Sequence, residues 1–503
     1  MISINEIAQS FPKYSNAAGN IQSVPLKIFK PRNKDEVISI LHDARQKKIT
    51  VRPIGSGHSF SEVIKEQFYM IHPQYLTECN TYEKYIRPGV LEKDRYLVKA
   101  EAGIRIKTLN KKLYKRGLAL DNMGAFDWQT VSGALSTGTH GTGIHKPAFP
   151  DMVRAIVLIL SNGETWHIEP SQGITDPDLF DSSTGIRLVQ NDDIFYSVVL
   201  SFGAMGFIYE IIFEVGKKFW IKESRKVMDW DSELKPAIEN GDFKNWVEKE
   251  YDFVSFRINP YYTKNKKTGK QQRLCSLALQ KSFPGDPPLY QGWAAYTRNF
   301  LFTVLGNIGI STWVLMKLMN RKLSSIPNSI NSGIKGSADK LFIGTSYKVL
   351  YQTGLSIRRQ GISSEFAFDV DYKNLVKIID RLAVHFKKLA NTFSLYLSSH
   401  IPVRFVSTSK AYLSQCYLEP KMYIDLPTLD GVHGASQIME YNQEFMVNEL
   451  NGLPHWGKIN HFLYSKPGYT DSHYPKAFIW RSIREKLDPI GMFYSDFVKK
   501  MGL

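Results

Sequence analysis

The chain has 503 residues, 43% of them hydrophobic and 13% aromatic, and carries a formal net charge of +16. That length and apolar content exclude disorder as the main state and favour two domains over a single core. Three scattered cysteines, Cys79, Cys275 and Cys416, form no CxxC pair, which excludes a disulfide framework or cysteine zinc site and suits a reducing compartment.

The first twenty residues contain no basic segment followed by an apolar one. No secretory signal is read, and a cytoplasmic or peripherally membrane-associated location is expected. "NKDEVISILHDARQKK" places Val37, Ile38, Ile40, Leu41 and Ala44 at helical spacing, with Asn33 and Asp35 as candidate caps. "ITVRPIG" follows as a strand and runs into "GSGHS", where His58 sits among small residues. By composition alone, that turn suits a capped loop, a phosphate cradle, a metal ligand or a covalent anchor. "KTLNKKLYKRGLAL" reads as an amphipathic helix closed by Gly117.

A second small-residue run, "SGALSTGTHGTG" (Ser132 to Gly143), has too little side chain to fill a core. It suits backbone lying against a flat ligand, with Thr137, Thr139 and Thr142 offering hydroxyls. No carboxylate or cysteine stands at ligand spacing beside His140, so no metal is expected. "MVRAIVLILSNGETWHI" reads as a hairpin with Asn162-Gly163 as a type I′ turn, and "SVVLSFGAMGFIYEIIFEV" joins a helix to a strand through Gly203 and Gly206.

Beyond about residue 216, long strand-like runs alternate with basic turns, and a domain boundary is expected there. "KNKKTGKQQR" (Lys264 to Arg273) reads as a solvated hairpin tip, and no RNA-binding pattern accompanies it. Nucleic acid is therefore not an expected partner. Residues 299–316 are uncharged, with basic flanks reaching residue 322. A buried helix, a membrane-docking helix and a short span are all compatible with them.

The two loops "RPIGSGHSFSE" and "VSGALSTGTHGTG" resemble the first and second FAD loops of the vanillyl-alcohol-oxidase (PCMH-type) flavoproteins, and "SFGAMGFIYEIIFEV" is similar to the strand closing that domain. "LPHWGKIN" (453–460) carries the His-Trp-x-Lys (HWxK) motif of the sugar-1,4-lactone oxidase branch, and "DPIGMFYSDFV" resembles that branch's ending. The resemblance implies an α+β fold in two parts. Residues 1–215, rejoined by about 450–503, would form the FAD domain, and residues 216–449 an antiparallel-sheet substrate cap. It implies FAD as cofactor, joined through its 8α-methyl to His58, with Pro53, Ile54, Gly55, Ser56, Gly57, Ser59, Thr130, Gly133, Thr137, Gly138, Thr139, His140, Gly141, Thr142, Gly143, Gly206 and Ile208 around it.

For catalysis the resemblance implies Lys458 at the flavin, with His455 and Trp456 as a pocket wall, Arg404 in "IPVRFV", and Glu365 on a neighbouring strand. Pro402 stands where relatives carry the glutamate of a Glu-x-Arg pair, and Asp425 stands near a histidine of the alditol-oxidising relatives. Arg404 and Lys458, as neighbouring cations, are expected to depress each other's pKa and to help deprotonate a hydroxyl. The implied substrate is an aldonolactone such as arabinono- or gulono-1,4-lactone, with a polyol or a lipid-linked, membrane-presented compound as alternatives. Dioxygen or another acceptor would reoxidise the flavin. A basic polyanion- or membrane-binding module without enzymatic activity is the reading from a different class, and it predicts a colourless protein.

Overall fold

The computed structural model describes residues 4–265, 267–285, 309–337, 339–351 and 361–503. Residues 299–308 of the apolar stretch lie outside these.

The first sheet has four strands in the order Ala8–Ser10, Lys27–Phe29, Tyr69–Ile71 and Val51–Pro53, the last three parallel. Helix Lys34–Lys47 makes the crossover. Asn33 is its N-cap, accepting the Glu36 N–H, and the Lys48 cap closes it. Its stripe of Val37, Ile40, Leu41 and Ala44 is fully buried against Phe29, Val51 and Tyr69. Each large apolar side chain buried this way is worth about 1.5–3 kcal/mol. A second sheet runs Ile186–Gln190, Thr165–Glu169, Val153–Ile159, Phe207–Lys217, Arg95–Glu101, Cys79–Thr81.

The hairpin between Val153–Ile159 and Thr165–Glu169 forms as expected, but its turn is not type I′. Gly163 N–H donates to the Leu160 carbonyl, and Gly163 has φ +87 while Asn162 has no positive φ. The tight turn therefore centres on Ser161-Asn162, with Gly163 as the left-handed bulge residue behind it. A five-residue connection accommodates this, whereas a two-residue one would force both Asn and Gly to positive φ.

The third sheet has eight strands in the order Asp339–Thr345, Trp220–Asp229, Leu274–Phe283, Phe253–Ile258, Ile401–Val406, Lys421–Leu429, Gly361–Asp369, Leu453–Pro454. The Lys264–Arg273 run falls on a short pair, Thr263–Lys264 with Gln271–Gln272, that forms a separate two-stranded sheet. Strand alternation sorts two faces. Phe256, Val403, Ile424 and Phe366 share rows and pack into a core with helix Tyr372–Phe393. The other face carries polar rows. Ser255, Arg404 and Tyr423 form one, and in the next Arg257 opposes Pro402 while Asp425 opposes Glu365.

The C-terminal segment returns to the first sheet, where Val51 N–H donates to the Met492 carbonyl. Arg52, fully buried, donates to the carbonyls of Phe202 and Phe493, both at 2.9 Å. Helix Gly309–Arg321 buries Met316 and Met319 but leaves Trp313, Val314 and Leu318 exposed, so the buried-helix expectation holds for one face only. Among the described residues, no helix is long and apolar enough to cross a membrane.

Candidate active site

The strand Val51–Pro53 delivers the chain into the 54–60 loop, where Gly57 adopts φ +69, a conformation that disfavours any side chain. A Cβ on Gly55 would lie 2.4 Å from Thr130 Oγ1, so the first and second glycine loops touch there. The Ser56 hydroxyl is buried and, among the described residues, has no hydrogen-bond partner. Asn16 and Asn20 hold the loop from the other side, donating to the carbonyls of Ser59 and Phe60 at 2.9 Å. The His58 ring packs edge-on to Phe126 with centroids 4.4 Å apart.

One cavity of about 470 Å³ joins this loop to the polar face of the eight-stranded sheet. Pro53, Ile54, Gly55, Ser56, Gly57, His58, Ser59, Thr130, Gly133, Thr137, Thr139, His140, Gly206 and Ile208 line it, as do Glu365, Arg404, His455 and Lys458. Gly138, Gly141, Thr142 and Gly143 do not, for reasons of packing. Thr142 Oγ donates to the Val254 carbonyl at 2.9 Å and Gly143 N–H to that of Phe405 at 2.7 Å, which ties the second loop to the eight-stranded sheet. A Cβ on Gly141 would meet Asn122 Oδ1 at 2.1 Å.

The Pro-His-Trp-Gly-Lys segment is held by side-chain and backbone hydrogen bonds. Gly457 N–H donates to His455 Nδ1 at 3.1 Å, while Nε2 faces the Gly138 carbonyl at 3.2 Å. Those partners require the Nε2–H tautomer, and burial holds the ring neutral with a pKa of about 4. Trp456 is fully buried and donates to the Leu413 carbonyl at 2.7 Å. The Gly457 carbonyl accepts both Phe60 N–H (2.8 Å) and Ser59 Oγ (3.1 Å).

Lys458 then reaches a pair of carboxylates, with Nζ 3.4 Å from both Asp425 oxygens and 3.7 Å from Glu365 Oε2. His140 Nε2 lies 3.4 Å from Glu365 Oε1, and its ring stacks on Tyr423 at 4.0 Å. The carboxylate beside His140 is thus Glu365, remote in sequence but adjacent in space. His140, Glu365 and His455 bring ligand atoms within 4.8 Å of one another. The His455 nitrogens and His140 Nδ1 already face backbone partners, and Glu365 faces an ammonium, so the cluster is built as a hydrogen-bonded network.

Its electrostatics correct one expectation. Burial opposes the charge on Lys458, but Asp425 and Glu365 outweigh both burial and Arg404, so the ammonium is held above its ordinary pKa. Arg404 does not make Lys458 a base. Burial likewise pushes Glu365 up, yet Lys458, His140 and His455 hold it well below the usual carboxylate range. Asp425 stays raised, by burial first and then by Glu365, against the pull of Lys458, Ser363 and Arg404.

Two family profiles match the chain, one described as FAD binding domain over residues 25–169 and one as D-arabinono-1,4-lactone oxidase over residues 242–501, just over half its length. The chain belongs to the D-arabinono-1,4-lactone oxidase family. Its relatives include an L-gulono-1,4-lactone dehydrogenase of Mycobacterium tuberculosis, 24% identical over 97% of this chain and 99% of that protein. The L-gulonolactone oxidase of Mus musculus is also 24% identical, over 97% and 98%. Among solved structures, cholesterol oxidase from B. sterolicum superposes with a TM-score of 0.74 at 14% identity, covering 99% of this chain and 98% of that one. A VAO-type flavoprotein from Myceliophthora thermophila gives 0.61 at 11%, over 95% and 80%. These likenesses bear out the α+β VAO-type fold.

As a family member the chain is an FAD-linked oxidoreductase, and its residues fit that cofactor. The orphaned Ser56 hydroxyl and the side-chain-free approach at Gly55 and Gly133 suit an anionic diphosphate running between the loops. Sequence reading did not find Asn16, Asn20, Arg52, Arg257, Ser363 or His400. Ser363 and Glu365, like Tyr423 and Asp425, alternate along their strands, so period-two reading of "GISSEFAFDV" and "KMYIDLP" would have placed each pair on one face.

Proposed function

We propose that this protein oxidises a CH–OH group of an aldono-1,4-lactone, with FAD joined covalently to His58 and reoxidised by dioxygen or another acceptor. The observation that carries this reading is the single cavity running from the glycine loops to the Lys458–Asp425–Glu365 cluster. Relatives named as L-gulonolactone oxidase and D-arabinono-1,4-lactone oxidase support the substrate class, and relatives named as oxidase and as dehydrogenase leave both acceptor types in view. FAD, when bound, would supply a two-electron acceptor for the carbinol hydrogen, taken as hydride.

The chain's own groups do the rest. Lys458 provides a fixed positive charge where negative charge develops. Glu365 keeps that ammonium and His140 in place. Arg404, on the cavity face, orients the substrate hydroxyl. His455 stays neutral and sets the spacing between the second loop and Lys458. We assign residues 1–215 with 450–503 to the FAD part and 216–449 to the cap, supported by the return of Met492 and Phe493 to the first sheet.

Acid-denatured protein run on a gel is expected to fluoresce in the protein band, and the His58→Ala variant to go dark while still binding FAD reversibly. Anaerobic addition of D-arabinono- or L-gulono-1,4-lactone should bleach the flavin. Flavin lost from the wild-type band would remove the covalent link. Bleaching by alditols alone would move the substrate to polyols.

A second reading concerns where the substrate is met. Helix Gly309–Arg321 exposes Trp313, Val314 and Leu318 beside Lys317 and Arg321, a composition that suits an anionic lipid surface. Co-sedimentation with anionic vesicles, lost in Trp313→Ser/Leu318→Ser, is the expected result, and recovery of all protein in the supernatant would dispose of it.

A further inference from the structure

We propose that Asp425 accepts the proton of the substrate hydroxyl, a duty carried by a carboxylate one strand over from the position that Pro402 occupies. This rests on the oxidase reading above. Continuing the Val403–Ile424 register by one residue sets Pro402 opposite Asp425, so the row reads Arg257, Pro402, Asp425, Glu365, all on the cavity wall. Neighbouring strands are separated by about 4.8 Å, so a carboxylate on Lys421–Leu429 serves much the same space as one on Ile401–Val406.

Elimination among the other groups points to the same residue. Lys458 is a cation held above its ordinary pKa and has no lone pair to offer. Both nitrogens of His455 are engaged, and those of His140 face Gly141 and Glu365. His400, depressed to about 3 by burial and by Arg257, Arg225 and Arg404, is too weak a base. Glu365 is buried, with one oxygen facing His140 and the other Lys458.

Asp425 differs from these. Its Oδ1 accepts the Ser363 hydroxyl, whereas Oδ2, among the described residues, meets only Lys458 at 3.4 Å. A carboxylate can accept about four hydrogen bonds, which leaves room for a substrate O–H. The groups facing Asp425 are Lys458, Glu365, Ser363 and Arg404. Burial and Glu365 make it the more basic of the two carboxylates, while Lys458 keeps the ionised form accessible.

The step balances. The carbinol O–H bond breaks, and its proton passes to Asp425, which becomes a carboxylic acid. The C–H hydrogen leaves with its two electrons for the flavin, the oxidant, and the carbon becomes a carbonyl. Proton release to water restores the carboxylate.

The test uses purified, flavin-loaded Asp425→Asn and Ser363→Ala beside wild type, with D-arabinono- and L-gulono-1,4-lactone as probes and anaerobic flavin reduction as the signal. In wild type, kcat/KM is expected to fall on the acid side as Asp425 protonates. In Asp425→Asn, reduction should slow by about 100-fold or more and the acid limb should vanish. Ser363→Ala removes a donor to the ionised carboxylate and should move the limb to higher pH. Independently of turnover, an infrared carboxylic-acid band that titrates with that limb in wild type should be missing in Asp425→Asn.

Wild type bleached by lactone, with Asp425→Asn reacting within threefold and keeping its acid limb, overturns the Asp425 assignment alone. A slow Asp425→Asn that retains the limb shows a structural role and also overturns it. If Asp425→Asn does not fold, an unmoved limb in Ser363→Ala overturns it. Wild type that no lactone or alditol bleaches removes the oxidase reading, and this proposal with it.

Discussion

Gly141 shows how tightly single positions are specified. Its missing side chain faces Asn122 Oδ1 at 2.1 Å and the Met123 carbonyl at 2.6 Å, and the latter is backbone that cannot swing aside. Gly141→Ala is expected to destabilise the protein by about 1–3 kcal/mol, read as a lower denaturant midpoint. Lys458 is constrained by charge. Lys458→Met leaves Asp425 and Glu365 facing each other without their shared cation, and about 3 kcal/mol of stability at pH 7 should be lost. The double variant with Asp425→Asn should recover part of that loss, a coupling that a double-mutant cycle reads directly. Such residues differ in how far sequence discloses them. The glycine loops and the His-Trp-x-Lys segment were legible because their chemistry is contiguous. The Lys458–Asp425–Glu365 contacts arise from strand register, and no local spacing encodes it.

At the scale of elements, the short hairpin in which Tyr14–Ser15 pairs with Gln22–Ser23 has a role that its composition hides. Asn16 accepts the N–H groups of Gly19 and Ile21 at 2.8 and 3.1 Å and donates to Asn20 and Ser59, while Ala17 N–H reaches the Gly57 carbonyl at 2.8 Å. Asn16→Ala therefore unties the loop carrying His58 and, in the His58→Ala background where binding is reversible, should weaken FAD binding by about tenfold, the equivalent of one or two hydrogen bonds. Helices with a clear stripe and cap were readable, Lys34–Lys47 above all. The Asn162-Gly163 turn was misread because its loop is five residues long, and loop length, not the dipeptide, selects the turn type. The apolar run at 299–316 had no period to decide between its two faces. The exposed side of Gly309–Arg321 became visible only once Met316 and Met319 were seen to be its buried one.

For the whole molecule, pH is the sharpest handle on stability. His72, His385 and His455 are held near 4 and His400 near 3, each chiefly by burial. The unfolded chain binds these protons from about 6.5 downward, so it carries more protons than the folded protein as pH falls from about 6.5 to about 4, and stability falls with it. Each histidine should cost about 2 kcal/mol by pH 5. Asp151 works the other way, since its pKa is raised to about 6 by burial and its protonation favours the folded state, returning about 1 kcal/mol. Denaturant midpoints should therefore drop steeply between pH 7 and pH 5. A flat profile would mean that the four rings are hydrated.

The Gly457 carbonyl brings together residues 398 positions apart, for it accepts Ser59 Oγ next to His58 and belongs to the residue before Lys458. A single peptide plane thus fixes the spacing between the loop that carries His58 and the segment that carries Lys458. Changes of loop length in the long intervening stretch should therefore leave that spacing, set by the Gly457 carbonyl, unchanged.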